Sequence, residues 1–344
     1  MNASIVNCSM IQGLLNCSDH NKSLHREEDE EDHEMYFGFS ADQDVFPIVL
    51  TALIIIINTF VLVLVYKRKA LRTVTNYVLC SLAVSDLLTG LFSIPIYLAC
   101  NIIRKPEICF WSEIMLRLTS ISTVLHLLMV TMDRYLAIIY SLRYHSLVTK
   151  KRAVLVLSVI WCVSLFVALI QLAWTTPGMS VDKRPEDIKD KEIPYDLLSI
   201  VVFFAVPLLV MLITYSCIFF EVLRQSRNIK KNSVPGYMEN RRQDRHEWKA
   251  AIMFVIMVVV FVVCWLPFFI IRIQHNFSNA FFVLPDVAEY ILIMLRFLTS
   301  FINPCLYIFG KHDFRKALSK VFGFKRRPSR SETTRSSLLK TTEM

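Results

Sequence analysis

Seven apolar segments, each long enough to cross a bilayer, alternate with short polar stretches along the 344 residues. A hydrocarbon core of roughly 30 Å is spanned at about 1.5 Å per residue, so each crossing takes roughly 20 apolar residues. No water is available there, and only a helix or a closed barrel satisfies its own backbone. The chain is 54% hydrophobic and 19% charged, with its apolar residues gathered in blocks rather than alternating. That pattern predicts an all-α membrane protein, with spans near 46–66, 75–100, 108–139, 153–175, 196–225, 248–274 and 284–309. Phe314, Leu318, Val321 and Phe322 then recur at helical spacing between Arg315, Lys316 and Lys320. They predict a short amphipathic helix over 311–322 lying on the membrane surface.

Charge gives the orientation, because cytoplasmic loops carry an excess of Lys and Arg. Lys67, Arg68, Lys69 and Arg72 follow the first span; Arg143, Lys150, Lys151 and Arg152 follow the third; Arg224, Arg227, Lys230, Lys231, Arg241, Arg242 and Arg245 follow the fifth. Residues 27–34 are almost wholly acidic, and sequons at Asn2, Asn7, Asn16 and Asn21 crowd the same end. The expectation is a glycosylated extracellular tail over 1–45, a bundle over 46–310 and a cytoplasmic C-terminus. The net charge of +9 therefore reads as membrane topology and not as nucleic-acid binding. Residues 1–20 lack a basic start followed by an apolar core, so the first span is expected to act as its own insertion signal. No internal repeat is evident, which argues against transporters built from repeated halves.

Polar landmarks interrupt the apolar blocks, about one per span. Asn58 lies in the first and Asp86 in the second; an aspartate at that depth costs ~2.5–3.5 kcal/mol on insertion scales and must face a polar interior. Thr123 of the third span, with Ser300 and Asn303 of the seventh, can complete an oxygen-lined pocket. Such a pocket suits a hard cation such as sodium, the only cofactor expected; a hydrogen-bonded structural aspartate is the alternative. Asp133-Arg134-Tyr135 ends the third span at the basic boundary. Prolines 207, 267 and 304 remove backbone donors inside the fifth, sixth and seventh spans, each beside an aromatic or polar residue.

Asp133-Arg134-Tyr135, Cys264-Trp265-Leu266-Pro267 and Asn303-Pro304-Cys305-Leu306-Tyr307 stand in the order and spacing of the rhodopsin-family (class A) G-protein-coupled receptors. The resemblance covers roughly residues 45–322. It implies a receptor for an extracellular diffusible ligand that activates a heterotrimeric G protein as span six moves outward. It implies that Glu247 latches Arg134 at rest, and that Tyr215 and Tyr307 support the open form. Val124, Pro207 and Phe261 are then the packed switch beneath the ligand, and Leu142 the apolar knob that enters the G-protein α subunit. Ser329, Ser331, Thr333, Thr334, Ser336 and Ser337, in a polar tail over 323–344 disordered by composition, would be phosphorylated and read by arrestin.

Two departures from the family pattern stand out. The family ties the top of span three to the second extracellular loop by a disulfide; Cys109 is in place, but residues 163–216 contain no cysteine. Cys8, Cys17 and Cys100 are the substitutes, and a bridge from Cys109 to the N-terminal tail is expected. The tail also lacks the membrane-proximal cysteine that family members often palmitoylate, so attachment to membrane lipids rests on Phe314, Phe322, Phe324 and basic residues.

The family's amine receptors place an aspartate where this chain has Leu116, and its opsins a lysine where it has Phe297; monoamine and retinal chemistry are both disfavoured. Arg117, Arg272 and Arg296 stand in the outer halves of their spans instead, with Glu113, Ser120, Glu289 and Trp265 as further pocket candidates. Guanidinium groups recognise carboxylate or phosphate, which suggests an acidic ligand. Internal pairing is the equal alternative, since Glu113 lies four residues before Arg117. Residues 78–86 and 142–149 resemble the adenosine, melanocortin and lysolipid group, so an adenosine-like or peptide ligand stays open. His126 reads as a packing residue. A transporter or channel would want charges along a continuous path, and only Asp86 lies deep. No nucleophile–base pair, phosphate loop or metal-ligand run suggests an enzyme.

Overall fold

The computed structural model describes residues 40–178, 186–231, 255–256, 258–266 and 286–321, and every regular element among them is helical. The first span is α1 (Ala41–Lys67). The second is α2 (Val74–Leu88) continued by α3 (Ile94–Ile103), and the third is α4 (Pro106–Ile139). A single turn, α5 (Tyr144–Leu147), leads to the fourth, α6 (Lys150–Leu169). The fifth is α7 (Glu186–Ile200) continued by α8 (Val206–Lys231). Helical residues 258–266, α9, fall within the sixth expected span; α10 (Asp286–Gly310) is the seventh, and α11 (His312–Val321) follows. Six of these helices are long and apolar enough to cross a membrane among the described residues. With α9 they form an all-α bundle of seven spans.

The 34 residues of α4 give it a length of roughly 51 Å at 1.5 Å per residue, more than a hydrocarbon core. It stands at the centre, against α2, α3, α6 and α8. Its inward positions, among them Leu118, Val124, Leu127 and Val130, are buried. Large apolar side chains elsewhere point outward: Ile56, Phe166 and Phe220 are each about two-thirds exposed. In water such a surface would aggregate; facing lipid tails it costs nothing.

Two spans widen by one residue just before a proline. Ile94 N–H bonds the carbonyl of Thr89, five residues back, ahead of Pro95; Val206 N–H bonds Val201 in the same way ahead of Pro207. A proline ring clashes with the carbonyl four residues earlier and offers no N–H. The chain answers with a π turn, a device common at functional sites. At the first of these turns Gly90 lets α1 approach closely. A Cβ there would stand 3.0 Å from Ile54 Cγ2.

The fifth span departs from expectation by starting at Glu186 instead of 196. Its polar first turns read as loop by composition. Tertiary contacts hold them helical: Tyr195 OH donates to the Val167 carbonyl, and Asp196 reaches Arg117. At the far end α11 buries Phe314 and Ala317 while Arg315 and Lys316 stay exposed. Phe314 packs on Tyr307 at 5.7 Å between ring centroids.

Candidate functional site

A cavity of about 110 Å³ opens among α3, α4, α7 and α10, lined by Glu113, Leu116, Arg117, Ser120, Asp196, Phe203, Phe204 and Arg296. Of the eight predicted pocket residues, Glu113, Leu116, Arg117, Ser120 and Arg296 therefore share one wall-to-wall space. Trp265 lies beneath Arg296, whose guanidinium carbon sits 5.3 Å from the Trp265 ring centroid. Arg272, and the side chain of Glu289, lie outside what is described.

Arg117 does not take Glu113 as its ion-pair partner. Its Nη2 donates to Asp196 Oδ1 at 2.9 Å and its Nη1 to Gln171 Oε1 at 2.8 Å, while its guanidinium rests 4.6 Å from the Tyr195 ring centroid. Both charged side chains are about a tenth exposed. Sequence reasoning missed Asp196 because it is 79 residues from Arg117 and only helix neighbours are visible along a chain.

The disulfide expectation is corrected here. Cys109 bridges Cys100, with Cα atoms 4.8 Å apart, and so is closed to Cys8 and Cys17. The physical cause is the turn between α3 and α4. Arg104 adopts a left-handed conformation (φ 53°) and its N–H closes on the Cys100 carbonyl, folding the chain back so that the two cysteines face each other.

Below the cavity an aromatic stack runs inward. Trp265 stacks on Phe261 at 5.4 Å, and Phe261 meets Phe204 at 5.7 Å. Trp265 Nε1 donates to Thr299 Oγ1 at 3.4 Å. Val124 and Pro207 are buried in the same region; Pro267 lies outside the described residues. His126 behaves as a packing residue: Trp161 N–H donates to Ser81 Oγ (3.0 Å), which shares a 2.7 Å hydrogen bond with His126 Nε2, and His126 Nδ1 donates to the Ser122 carbonyl.

Deeper still, Asp86 is fully buried, engaged by Ser300 and by Asn303 Nδ2 at 3.5 Å. Asn58 Nδ2 donates to the Ser300 carbonyl at 3.1 Å, and Thr123 is buried on α4. Asp86 Oδ1, Asn58 Oδ1, Ser85 Oγ and Tyr307 OH are buried with no hydrogen-bond partner among the described residues. Orphan oxygens are costly in a low-dielectric interior. Asn303 and Pro304 are buried on α10 beside them, and Tyr307 is wholly enclosed.

At the other end of α4, Asp133 is held three ways. Thr75 Oγ1 donates at 2.8 Å and Tyr144 OH at 2.7 Å, and Arg134 pairs with the same carboxylate. Arg134 Nη2 also donates to Thr75 Oγ1. Glu247 lies outside the described residues. Tyr135 is half-buried against Tyr140; Tyr215 is buried, its hydroxyl accepting from Thr131 Oγ1 at 3.3 Å. Leu142 is fully exposed at the tip of the loop between α4 and α6. Lys311 is a buried lysine that sequence reasoning passed over; its ammonium donates to Asn76 Oδ1, whose amide in turn donates to the Leu71 carbonyl at 2.7 Å.

A multi-pass bundle with a charged cavity at one end, a polar core and a held charge pair at the other defines a membrane receptor. Residues 57–307 match the family model described as 7 transmembrane receptor (rhodopsin family), and the chain belongs to that family. It is 31% identical over 290 residues to the histamine H2 receptor of Homo sapiens, covering 80% of this chain and 78% of that one. It is 28% identical over 298 residues to the octopamine receptor beta-2R of Chilo suppressalis (77% and 75% covered). With the adenosine receptor A2a of Homo sapiens the identity is 29% over 289 residues (79% and 70% covered). Amine and adenosine receptors are thus matched to similar extents, and the similarity carries the family without selecting a ligand.

Proposed function

We propose that this chain is a plasma-membrane receptor, N-terminus outside, that binds an extracellular diffusible ligand in the cavity and activates a heterotrimeric G protein. The observation that carries the reading is the aromatic cluster against the cavity: Arg296 over Trp265, Trp265 stacked on Phe261, and Phe261 tilted against Phe204 of the cavity wall. A group that engages Arg296 bears directly on the aromatic ring of the sixth span. Displacing that ring favours an outward swing of the span, which frees Arg134 from Asp133 and Thr75 and presents Leu142 to the α subunit. Glu247 would share the resting latch, and phosphorylation of the 323–344 tail would recruit arrestin. Asn2, Asn7, Asn16 and Asn21 would carry the glycans.

Two guanidiniums and two carboxylates line the cavity, so the ligand is recognised by ion pairing. An acidic ligand engages Arg296 and competes with Asp196 for Arg117. A second reading, an amine held by Asp196 and Glu113, is favoured by the relatives named as histamine and octopamine receptors. The core fits a hard cation: Asp86 supplies the charge and Asn58, Ser85 and Tyr307 supply orphan oxygens. Asp86, Thr123, Ser300 and Asn303 would hold sodium there, and the ion would stiffen the resting packing of α2, α4 and α10.

The test is G-protein dissociation in cells expressing the chain, screened against acidic lipids, organic acids, amines, nucleosides and peptides. Arg296→Gln is expected to abolish the response to an acidic ligand, and Asp196→Asn the response to an amine. Arg134→Ala is expected to abolish coupling at normal surface expression. Unchanged signalling in that variant would refute the receptor mechanism as drawn.

A further inference from the structure

The cavity among α3, α4, α7 and α10 carries charge of both signs in equal measure. Among the described residues its lining holds Arg117 and Arg296 against Glu113 and Asp196, so the formal charges cancel. Much of the remaining wall is apolar, with Leu116, Ile121, Ile200, Phe203, Phe204 and Ile293 in it. In such a low-dielectric space an added ion is costly unless a counter-charge meets it. A ligand of one sign leaves the set unbalanced, whereas a ligand carrying both signs keeps it neutral.

The four charges are not equivalent. Arg117 and Asp196 pair at 2.9 Å, while Gln171 and the Tyr195 ring engage the same guanidinium. That pair ties the third span to the fifth and forms part of the cavity wall. Glu113 on α4 and Arg296 on α10 are the other two charges of the described lining. The position of each is set by its neighbours. Cys109 lies about one helical turn before Glu113; it is bridged to Cys100, and both cysteines line the cavity. Arg296 is buried, its guanidinium carbon 5.3 Å from the Trp265 ring centroid and 5.9 Å from that of Phe297. One negative and one positive group therefore border a common space from separate helices.

Volume limits the occupant. An apolar protein cavity of about 150 Å³ takes benzene, so one near 110 Å³ takes on the order of five or six heavy atoms. Lipids, nucleosides and peptides exceed that size. We infer that the cavity selects a small zwitterion, a free amino acid of that size, with its carboxylate on Arg296 and its ammonium on Glu113. The guanidinium fork suits a carboxylate, and the three donors of an ammonium suit the acceptor oxygens of a glutamate. An acid or an amine alone engages a single pole and adds a net charge to the cavity. This ligand class rests on the proposed reading of the cavity as the ligand site and narrows it.

Glycine and β-alanine are the probes. Butyrate and isopentylamine match β-alanine in heavy atoms, and each lacks one of its charges. Affinities are read by ligand-observed NMR on the purified full chain in nanodiscs, with G-protein dissociation followed in parallel in cells. β-Alanine is expected to bind roughly tenfold or more tightly than either control, the effect of one hydrogen bond to a charged group. The longer ε-aminocaproate is expected to be excluded. In Glu113→Gln the advantage over butyrate is expected to vanish, and in Arg296→Gln the advantage over isopentylamine. A uniform loss of all three ligands in these variants would give both residues a structural role and overturn the assignment. Absence of binding by either probe, or ε-aminocaproate bound as tightly as β-alanine, would overturn the small zwitterion. G-protein dissociation driven equally by a single-charge control would overturn it too, while sustaining the receptor reading. The expected affinity ratios without any dissociation would support the ligand class and overturn the signalling reading instead.

Discussion

Arg117 shows what a single side chain contributes here. Its pairing with Asp196 and Gln171 takes two charges largely out of water. Removing one partner of such a pair leaves the other stranded, at ~3–5 kcal/mol, whereas removing both is far cheaper. Asp196→Asn is expected to lower the thermal midpoint of the detergent-solubilised protein markedly, and Arg117→Met/Asp196→Asn to recover most of the loss; equal losses in both would deny the pair. Lys311 is the other informative residue. Burial foremost, then the neighbouring Arg134 charge, brings its ammonium down to about 8 from 10.5. The unfolded chain then holds that proton more tightly than the native one between these values. Stability contributed at this site must rise with pH through that window. Thermal midpoints at pH 8 and pH 10 are expected to differ less in Lys311→Met than in the wild type. Both residues mark the reach of sequence reading. The motifs at Asp133, Trp265 and Asn303 are local strings and were legible, whereas the partners of Arg117 and Lys311 lie 79 and 235 residues away in sequence. No periodicity encodes such distances.

Among the elements, the apolar blocks made the spans legible because lipid demands long unbroken helices. The π turns were not, since a proline in a helix announces a break without saying how the chain will absorb it. Nor was the helical start of the fifth span, whose residues become helical only by docking on Val167 and Arg117. The disulfide is an element-scale correction: Cys100 and Cys109 staple the turn between α3 and α4, which leaves Cys109 closed to Cys8 and Cys17. Closing a loop of this size stabilises a chain by roughly 2–3 kcal/mol in the chain-entropy account. Cys100→Ser and Cys109→Ser are expected to depress surface expression equally, and Cys8→Ser/Cys17→Ser to leave it unchanged. A flow-cytometric count of surface receptor decides this. Midway along the second span, Gly90→Val drives side-chain atoms into Ile54, where even a Cβ meets Cγ2 at 3.0 Å. Helices in lipid associate by close packing of small residues, so this variant is expected to be retained inside the cell.

Across the whole molecule, two connected sets of side chains occupy the interior between the cavity and the Arg134 end. One is the aromatic stack of the sixth span. The other is the polar core of Asp86, Asn58, Ser300, Asn303 and Tyr307, which links the second span to the seventh and, through Tyr307 and Phe314, to α11. A bistable receptor needs a core that packs one way at rest and another when active. Orphan oxygens around one carboxylate are a poor resting arrangement unless a cation satisfies them. A sodium ion bound there, as proposed, would stabilise the resting state by its differential affinity, and only to that extent. Ligand-free nucleotide exchange on purified G protein is therefore expected to fall as sodium replaces N-methylglucamine at constant ionic strength. Asp86→Asn keeps the volume and a hydrogen-bonding group but removes the charge that holds the ion, so exchange in that variant is expected to be indifferent to the swap. Persistent sodium sensitivity in Asp86→Asn would move the ion elsewhere. Insensitivity of the wild type would leave Asp86 as a hydrogen-bonded strut between α2 and α10.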